Sequence, residues 1–183
     1  TRDKNLIINS SHIILPGVGA FSKAMNLIKK YKINEYLMES KKKGSYILGI
    51  CLGMQLLTTS SEEFGFTEGL NFIEGEVTSI LKQKNYSDDV KIPNIGWFNI
   101  IKKNKSIKNS IMTNISENDT FYFVHSYACN TRDKECLKFY FEYSNMKITA
   151  IIEKKKCNWV SVSSREKWKS RIKTIAKFFI IRV

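Results

Sequence analysis

The amino-acid sequence predicts an α/β protein with a central, mostly parallel sheet flanked by helices and a smaller antiparallel or mixed part. Two short apolar runs in the first third of the chain are each followed by residues with helical spacing. This alternation indicates parallel strands joined by right-handed crossovers. After Gly69 the pattern changes to short strands separated by polar turns. With neither a linker nor an internal repeat in its 183 residues, the chain is predicted to form a single domain, 1–183.

The first elements follow from the apolar runs and from the residues that end them. Residues 11–15 form a short apolar run ended by Pro16-Gly17, which predicts a buried strand followed by a tight loop. Residues 20–40 carry apolar side chains at nearly helical intervals, so one or two amphipathic helices are expected there. A second strand is predicted at 45–50, and a helix after Cys51.

The remaining elements are short strands with no clear helix between them. Polar turns separate the apolar segments, which we predict to pair in a largely antiparallel or mixed arrangement. The predicted strands are 72–81, 96–101, 120–127, 137–143 and 147–152.

The net charge of +13 raises the question of a nucleic-acid partner, because clustered Lys and Arg bind phosphates. Its distribution argues against one. Residues 160–183 hold seven Lys and Arg against the single acid Glu166, and the other lysines are scattered along the chain. No apolar run is long enough to cross a membrane and no signal peptide is visible. We therefore expect a cytoplasmic protein that binds neither nucleic acid nor membrane.

The four cysteines show no spacing typical of a metal site or a disulfide framework. They are Cys51, Cys129, Cys136 and Cys157, with no CxxC pair among them and only His125 nearby. We therefore expect reduced thiols and no metal site, and we predict no cofactor.

Cys51 differs from the other cysteines because it lies between two glycines, in Gly49-Ile50-Cys51-Leu52-Gly53, directly after a predicted strand. Strand, Gly-x-Cys-x-Gly, helix is the thiol counterpart of the nucleophile elbow, which projects a reactive side chain at the carboxyl edge of a sheet. Gly49 and Gly53 would avoid clashes with the neighbouring strand and helix. The helix amino terminus would lower the thiol pKa and offer N–H groups to an oxyanion. The alternative is a buried structural cysteine in a tight turn.

A glycine-rich loop, Pro16-Gly17-Val18-Gly19, follows the preceding predicted strand. In an open parallel sheet its backbone would lie at the same edge as Cys51. The alternative is a turn that happens to be rich in glycine, but two such loops on one edge favour a catalytic crevice.

Four sequence motifs, taken in order, closely resemble those of the glutaminase subunits of imidazole glycerol phosphate synthase, which are class I glutamine amidotransferases. The motifs are LPGVGAF, GICLGMQLL, IPNIGW and FYFVHSY, and the resemblance extends from residue 11 to about residue 159. It implies a flavodoxin-like α/β fold. It also implies that the strand, helix and strand with which the family begins are missing here, so that Thr1 corresponds to a position well inside the usual start.

The resemblance implies roles for Cys51 and for the residues around it. Cys51 would attack the side-chain amide of glutamine, form a thioester and release ammonia. The residues implied in oxyanion or substrate binding are Gly17, Val18, Gly19, Leu52, Gly53, Gln55, Ser126 and Tyr127. Among them, Tyr127 could equally be an aromatic residue of the core.

The resemblance also implies a partner subunit. Pro93, Asn94, Gly96 and Trp97 match the segment that faces the second subunit in the family, although a proline-bounded turn with a packed tryptophan explains the same residues. That partner is a (β/α)8 synthase, or cyclase, subunit, which receives the ammonia directly. We therefore expect a heterodimer with glutamine as its substrate.

The residues expected to supply the catalytic base are absent from the sequence. A cysteine glutaminase needs a group that takes the thiol proton and gives one to ammonia, and histidine suits this role near neutral pH. The family carries it in QFHPEKSG. Residues 161–168 read SVSSREKW instead, with Ser164 at the histidine position if Glu166 keeps the register of the orienting glutamate. His12 opens the first strand and His125 is expected to be structural, so neither is a good substitute.

A shift of the reading frame explains this departure from the family. Reading one base later near Val160 allows codons that translate as Gln-Phe-His-Pro-Glu-Lys-Ser-Gly, followed by an amphipathic helix. We therefore expect residues 161–183 to be out-of-frame translation and the chain as written to be inactive. The alternative is a genuine pseudoenzyme with a basic terminal helix.

Two functional alternatives stand beside the supply of ammonia for histidine biosynthesis. Ser61-Glu62-Glu63-Phe64-Gly65 is similar to relatives that supply ammonia for the amidination of nucleotide-linked sugars in surface polysaccharide or flagellin modification. The second alternative is a scaffolding or regulatory subunit without turnover.

Overall fold

The structure is a computed structural model that describes residues 1–82, 90–103 and 119–154, without the side chain of Lys138. Within these ranges, helices alternate with strands up to Gln55, and strands with one short 3₁₀ turn follow, as the sequence pattern predicts. The helices are α1 Lys4–Asn9, α2 Phe21–Lys30, α3 Ile33–Lys42 and α4 Leu52–Gln55. The strands are β1 His12–Gly17, β2 Tyr46–Cys51, β3 Ser60–Ser61, β4 Thr67–Glu68, β5 Gly75–Ser79, β6 Asn94–Asn99, β7 Ile101–Lys102, β8 Thr120–His125, β9 Tyr127–Thr131, β10 Leu137–Tyr143 and β11 Met146–Ile152.

The two strands predicted in the first third of the chain pair in parallel and fix the position of the loops that follow them. β1 and β2 are in register along their length, with Gly17 opposite Cys51. β1 runs beyond the predicted end at Leu15, because Pro16 and Gly17 continue the pairing with β2. The carboxyl ends of both strands therefore meet at one edge of the sheet.

α2 and α3 connect β1 to β2 and correspond to the predicted helical segment, which divides at Lys32. α2 buries Phe21, Met25 and Ile28, which lie on one side of a helix at spacings of three and four residues. Lys32 adopts a left-handed conformation with a φ of 56°. Of the one or two helices expected in this segment, the structure has two.

Two helices differ from the sequence-based expectation. The sequence pattern does not predict α1, because its six residues make less than two turns and give no periodic signal. Asp3 caps this helix by accepting a hydrogen bond from the N–H of Leu6 at 2.9 Å. α4 is shorter than expected and ends at Gln55, whose carbonyl oxygen accepts a hydrogen bond from Thr58 Oγ1 at 2.7 Å. A helix of one turn supplies little of the dipole expected from a longer one.

The second part of the chain is antiparallel or mixed, as predicted. One sheet has the order β4-β3-β5-β9, in which β3 and β5 run parallel and the other neighbours antiparallel. The group β11-β10-β7 and the pair β6-β8 are antiparallel. The sequence suggests that this part is the smaller one, but among the described residues it is the larger. The reason is that the parallel sheet in those ranges consists of β1 and β2 alone.

In the second part of the chain, three predicted strands differ from the structure by more than one residue. The segment 72–81 contains β5 followed by a 3₁₀ turn at Ile80–Lys82, and the segment predicted at 96–101 is β6, which starts and ends two residues earlier. The segment 120–127 is divided at Ser126 into β8 and β9, which join different sheets. Ser126 therefore lies at a corner between two sheets.

The core is built from aromatic and aliphatic side chains of both parts of the chain. Its largest fully buried side chains are Phe21, Phe123, Phe139, Phe141, Met25, Leu37, Leu56, Ile80, Ile100, Met146 and Ile148. The rings of Phe98 and Phe123 both pack on Phe141, with centroids 4.9 and 4.2 Å from it. Each aromatic pair of this kind contributes about 0.5–1.5 kcal/mol beyond the burial of its area. In the described ranges no helix has the length and apolar character of a membrane span.

Candidate active site

Cys51 lies at the turn between β2 and α4 in a backbone conformation that residues with a side chain rarely adopt. Its φ is 55° and its ψ is −125°, outside the α, β and left-handed helical regions. A non-glycine residue held in a sparsely populated conformation costs roughly 1–3 kcal/mol and persists only where the surrounding structure holds it. The predicted sharp turn from strand to helix is therefore present, and the thiol is half-buried.

Gly49 and Gly53 allow this turn because backbone atoms lie close to where a side chain would start. A Cβ on Gly49 would lie 2.5 Å from the Cα of Met54, and a Cβ on Gly53 would overlap the carbonyl oxygen of Leu15. Gly49 therefore makes room for α4, and Gly53 makes room for β1. This geometry confirms the steric reason predicted for both glycines.

The glycine-rich loop after β1 passes directly beside the Cys51 turn. Gly17 pairs with Cys51, and a Cβ on Gly17 would lie 3.0 Å from the backbone nitrogen of Gly53. Val18 is 91% exposed, and Gly19 has a φ of 93°, which favours glycine at that position. The two loops thus meet at one sheet edge, as the sequence predicts.

The charge state of Cys51 differs from the sequence-based expectation. Burial raises the pKa of the Cys51 thiol, and the backbone N–H of Leu52 offsets only part of this rise. The expected lowering of the pKa is therefore wrong, because the thiol is partly withdrawn from water. Near neutral pH the group is a thiol and not a thiolate. Nucleophilic chemistry at Cys51 consequently requires a base.

Gln55 connects α4 to the corner between β8 and β9. Its side chain is buried, and its Nε2 donates a hydrogen bond to the carbonyl oxygen of Tyr127 at 3.2 Å. The carbonyl oxygen of Ser126 accepts a hydrogen bond from the N–H of Ile80 at 2.9 Å. The Tyr127 side chain packs against the hydrophobic core, as the alternative interpretation of this residue expects. Three of the residues predicted to line a glutamine pocket therefore lie close together.

Neither of the two histidines is arranged as a base for Cys51. His12 begins β1, at the end of the strand remote from Cys51, and its ring stacks on Tyr46 with centroids 5.2 Å apart. His125 is buried, and its Nδ1 donates a hydrogen bond to the carbonyl oxygen of Tyr127 at 3.0 Å. Burial lowers the pKa of His125 to about 4, so this ring is neutral and only weakly basic.

Glu63 contacts this region although the sequence does not single it out as a site residue. Its Oε2 accepts a hydrogen bond from the N–H of Phe21 at 2.6 Å. That N–H begins α2, and Ala20 at the N-cap position offers no side-chain acceptor. The carboxylate therefore fixes the start of α2, two residues after Gly19. Because 42 residues separate the two partners, no local sequence pattern reveals this contact.

The segment predicted to face a partner divides between the two sides of β6. Trp97 is 61% exposed and Pro93 is exposed just before the strand, but Asn94 is fully buried and Gly96 is on the same side of the strand. Alternate residues of a strand point to opposite sides, so even-numbered positions here face the core. Asn94 and Gly96 therefore do not belong to the exposed side, and a contact of this segment with a partner stays a prediction.

The exposed side of β6 continues onto β8, where the sequence analysis names no residue. Ile95, which is 57% exposed, lies opposite Val124, which is 42% exposed. Trp97, which is 61% exposed, lies opposite Tyr122, which is 41% exposed. The rings of Trp97 and Tyr122 are 5.5 Å apart. We call these four residues the outer face. The sequence gives no signal for the β8 half, because residues 121–124 are all apolar or aromatic and only the structure shows that buried and exposed positions alternate.

Several predictions concern positions that the structure does not describe. Ser164 and Glu166, the residues at the expected base and its orienting carboxylate, lie in the segment 161–183, and Cys157 precedes it; all are outside the described ranges. The absence of the strand, helix and strand expected before Thr1 also stays a prediction.

Comparison with known proteins gives consistent results. The family model for class I glutamine amidotransferases matches residues 2–162. The imidazole glycerol phosphate synthase subunit HisH of Chlorobium chlorochromatii is 35% identical over 166 residues, which are 91% of this chain and 79% of that protein. The imidazole glycerol phosphate synthase subunit HisH 2 of Methanococcus maripaludis is 40% identical over 155 residues, which are 82% of this chain and 71% of that protein. A solved glutamine amidotransferase superposes with a TM-score of 0.51 at 16% identity, covering 80% of this chain and 68% of that chain, which supports the α/β fold.

Proposed function

The chain belongs to the class I glutamine amidotransferase family, and on this premise we propose that it is the glutaminase subunit of an imidazole glycerol phosphate synthase. In this function, a cytoplasmic protein of histidine biosynthesis converts glutamine to glutamate and passes the ammonia to a (β/α)8 synthase subunit. The observation that carries the proposal is the pairing of Gly17 with Cys51 at the strained turn. It supports a nucleophile and backbone N–H donors that act on one substrate carbonyl group, the nucleophile on its carbon and the donors on its oxygen.

The proposed reaction begins when Cys51 Sγ attacks the side-chain carboxamide carbon of glutamine. The backbone N–H groups of Leu52, Val18 and Gly19 are the donors proposed to hold the resulting oxyanion. The tetrahedral intermediate collapses to a thioester when its C–N bond breaks, and the nitrogen leaves as ammonia after receiving the proton that the base took from the thiol. Water then attacks the thioester carbon, which yields glutamate and restores the thiol.

We further propose that the base is missing because residues 161–183 are out of frame. The family match ends at residue 162, close to the proposed slip at Val160, which supports a change of frame there. The raised pKa of Cys51 supports the need for a base. Since Ser164 cannot accept a proton near pH 7, the chain as written is expected to be inactive. If the frame proves continuous, the same serine favours a non-catalytic scaffolding subunit instead.

The experiment for the enzymatic function replaces residues 161–168 with QFHPEKSG, in a chain extended by the amino-terminal segment of a relative. Glutamate release from glutamine is then measured in the presence of a synthase subunit. The replaced protein is expected to turn over at least about 100-fold faster than the same extended chain with its original residues 161–168, which is the usual contribution of a positioned base. Cys51→Ala in the replaced protein should return the rate to background.

Two results would contradict this part of the proposal. Glutamate release by the original sequence at the rate of the replaced protein would mean that the base has been misassigned. No release by the replaced protein would leave the scaffolding function as the better explanation. Sequencing the gene across the Val160 codon decides the frame independently.

We propose that the outer face binds the synthase subunit. Four exposed apolar or aromatic side chains on one two-stranded surface are typical of a protein interface, and Trp and Tyr are frequent hot spots. Trp97→Ala is expected to weaken binding of the synthase subunit by about 30-fold, as measured by isothermal titration calorimetry. Phe64→Ala is the matched control, because Phe64 is 85% exposed but lies in the turn between β3 and β4, outside the outer face. Equal weakening by both variants would contradict the assignment of this face.

A further inference from the structure

The carbonyl oxygen of Tyr127 accepts hydrogen bonds from two buried side chains that belong to different elements. Gln55 Nε2 on α4 lies 3.2 Å from it, and His125 Nδ1 on β8 lies 3.0 Å from it. Gln55 and His125 are 8% and 9% exposed, so both bonds are shielded from water. This single carbonyl therefore joins α4, which directly follows Cys51, to the corner between β8 and β9.

The protonation of His125 follows from these contacts. A carbonyl oxygen can only accept, so Nδ1 carries the proton. Nε2 is buried and has no hydrogen-bond partner among the residues that the structure describes. The neighbours that the structure gives the ring are uncharged: Phe123 and Phe141 contact it edge-on, each with its centroid 6.0 Å away, and Asn94 lies opposite it on β6. With its pKa at about 4, the imidazole stays neutral and keeps its Nδ1–H near neutral pH.

Packing alone does not explain a histidine at this position. The ring lies among aromatic side chains, and a phenylalanine would occupy similar space without leaving a buried ring nitrogen unpaired. An unsatisfied buried polar group costs roughly 1–3 kcal/mol. The one feature that His125 offers and phenylalanine lacks is the N–H directed at the carbonyl oxygen of Tyr127. We therefore expect the role of His125 to depend on its hydrogen bond to the carbonyl oxygen of Tyr127.

We propose that His125 is a positioning residue for glutamine binding, which acts by fixing the carbonyl group of Tyr127 and, through it, the side chain of Gln55. The inference rests on the proposed function, since Gln55 and Tyr127 belong to the proposed glutamine pocket. Tyr127 begins β9, where its backbone pairs with Ser79 of β5, so the hydrogen bond from His125 adds a link from β8 to a carbonyl group at the start of that ladder. The Gln55 amide, attached to a single turn of helix, is held at the same oxygen.

The experiment measures the affinity of the full chain for L-glutamine by isothermal titration calorimetry, which needs no turnover. His125→Phe keeps the ring and removes the donor, so the Kd for glutamine should rise about 3- to 10-fold, the usual range for one neutral hydrogen bond. His125→Asn places an amide N–H close to the position of Nδ1 and should keep the Kd within about 2-fold of the original. Rescue by asparagine is a result that a purely space-filling role would not give.

Phe123→Leu is the matched control, because Phe123 is on the same strand and side and contacts the ring of His125 without bonding Tyr127. It should lower the thermal unfolding temperature and leave the Kd unchanged. Unchanged glutamine affinity in His125→Phe, or equal weakening in Phe123→Leu, would overturn the inference while the proposed function stands. If the original chain does not bind glutamine, both the inference about His125 and the proposed glutaminase function are contradicted. Should His125→Phe not fold, ¹⁵N spectra of the original chain remain decisive: a ring protonated at Nε2 instead of Nδ1 overturns the inference.

Discussion

The Cys51 turn and the surroundings of His125 hold their functional side chains in contrasting ways. Cys51 has a strained backbone, a half-buried thiol and two glycines that let neighbouring chain segments approach closely. His125 lies in a regular strand, is buried with the rings of Phe123 and Phe141 against it, and leaves one ring nitrogen without a partner among the described residues. At Cys51 the strain is in the backbone, whereas at His125 the cost lies in the desolvation of a polar group.

This difference indicates separate tasks for the two regions. A residue that must meet a substrate needs exposure and a fixed direction, and a sharp turn gives both at the cost of local strain. A residue that only holds another group in place can be buried, because a hydrogen bond shielded from water is a stronger constraint. The following predictions test each side of this comparison.

The largest effect is expected from Gly53→Ala, which adds a Cβ where the carbonyl oxygen of Leu15 lies. Either β1 or α4 must move, so the free energy of unfolding should fall by at least about 3 kcal/mol, the upper range for overpacked sites. Gly65→Ala is the control, because Gly65 also belongs to a turn, with a φ of 110°, but a Cβ there would meet nothing within 4 Å. It should cost only about 1–2 kcal/mol. Equal losses in urea unfolding would mean that the Cys51 turn is not sterically tight.

A slightly smaller effect is expected from the titration of His125. Its pKa is about 4 in the folded chain and 6.5 ordinarily, so between these values the unfolded chain binds a proton that the folded chain does not. The contribution of His125 to the free energy of unfolding is fully present above pH 6.5. It is lost as the pH falls towards 4, by about 3 kcal/mol in total. Urea unfolding at a series of pH values should therefore show a steeper acid loss in the original chain than in His125→Phe. Parallel curves would contradict the buried, neutral state of the ring.

The two regions also differ in how far the sequence predicts them. Five consecutive residues encode the Cys51 turn, and Gly49 and Gly53 indicate directly that neighbouring backbone must approach closely there. The neighbouring loop follows from the rule that parallel strands end at the same edge. The contact between Gln55, His125 and Tyr127 depends instead on the break at Ser126 and on pairing between distant strands, and the bond from Phe21 to Glu63 spans 42 residues. Such contacts have no local signal.

The motif alone also gives the wrong direction for the pKa of Cys51, because it does not show how far the thiol is buried. Burial raises this pKa, and the backbone N–H of Leu52 offsets only part of the rise. The motif IPNIGW likewise does not show that Asn94 is buried while Ile95 and Trp97 are exposed, since a strand divides neighbouring residues between two faces. Burial and register, which are properties of the folded chain, decide both cases.

The smallest of the expected effects concerns the reactivity of Cys51 towards iodoacetamide. Because its pKa is raised, only a small fraction is thiolate near neutral pH, so the alkylation rate should increase about tenfold per pH unit from pH 7 to 9 without a plateau. Free cysteine, measured in parallel, should react faster at pH 7, because burial raises the pKa of Cys51. Mass spectrometry of the peptides separates Cys51 from the fully buried Cys129, whose pKa burial raises much further and which should react only on unfolding. A plateau for Cys51 below pH 8 would instead mean that the turn activates its thiol unaided, and that the base proposed for the reaction serves mainly to protonate the departing ammonia.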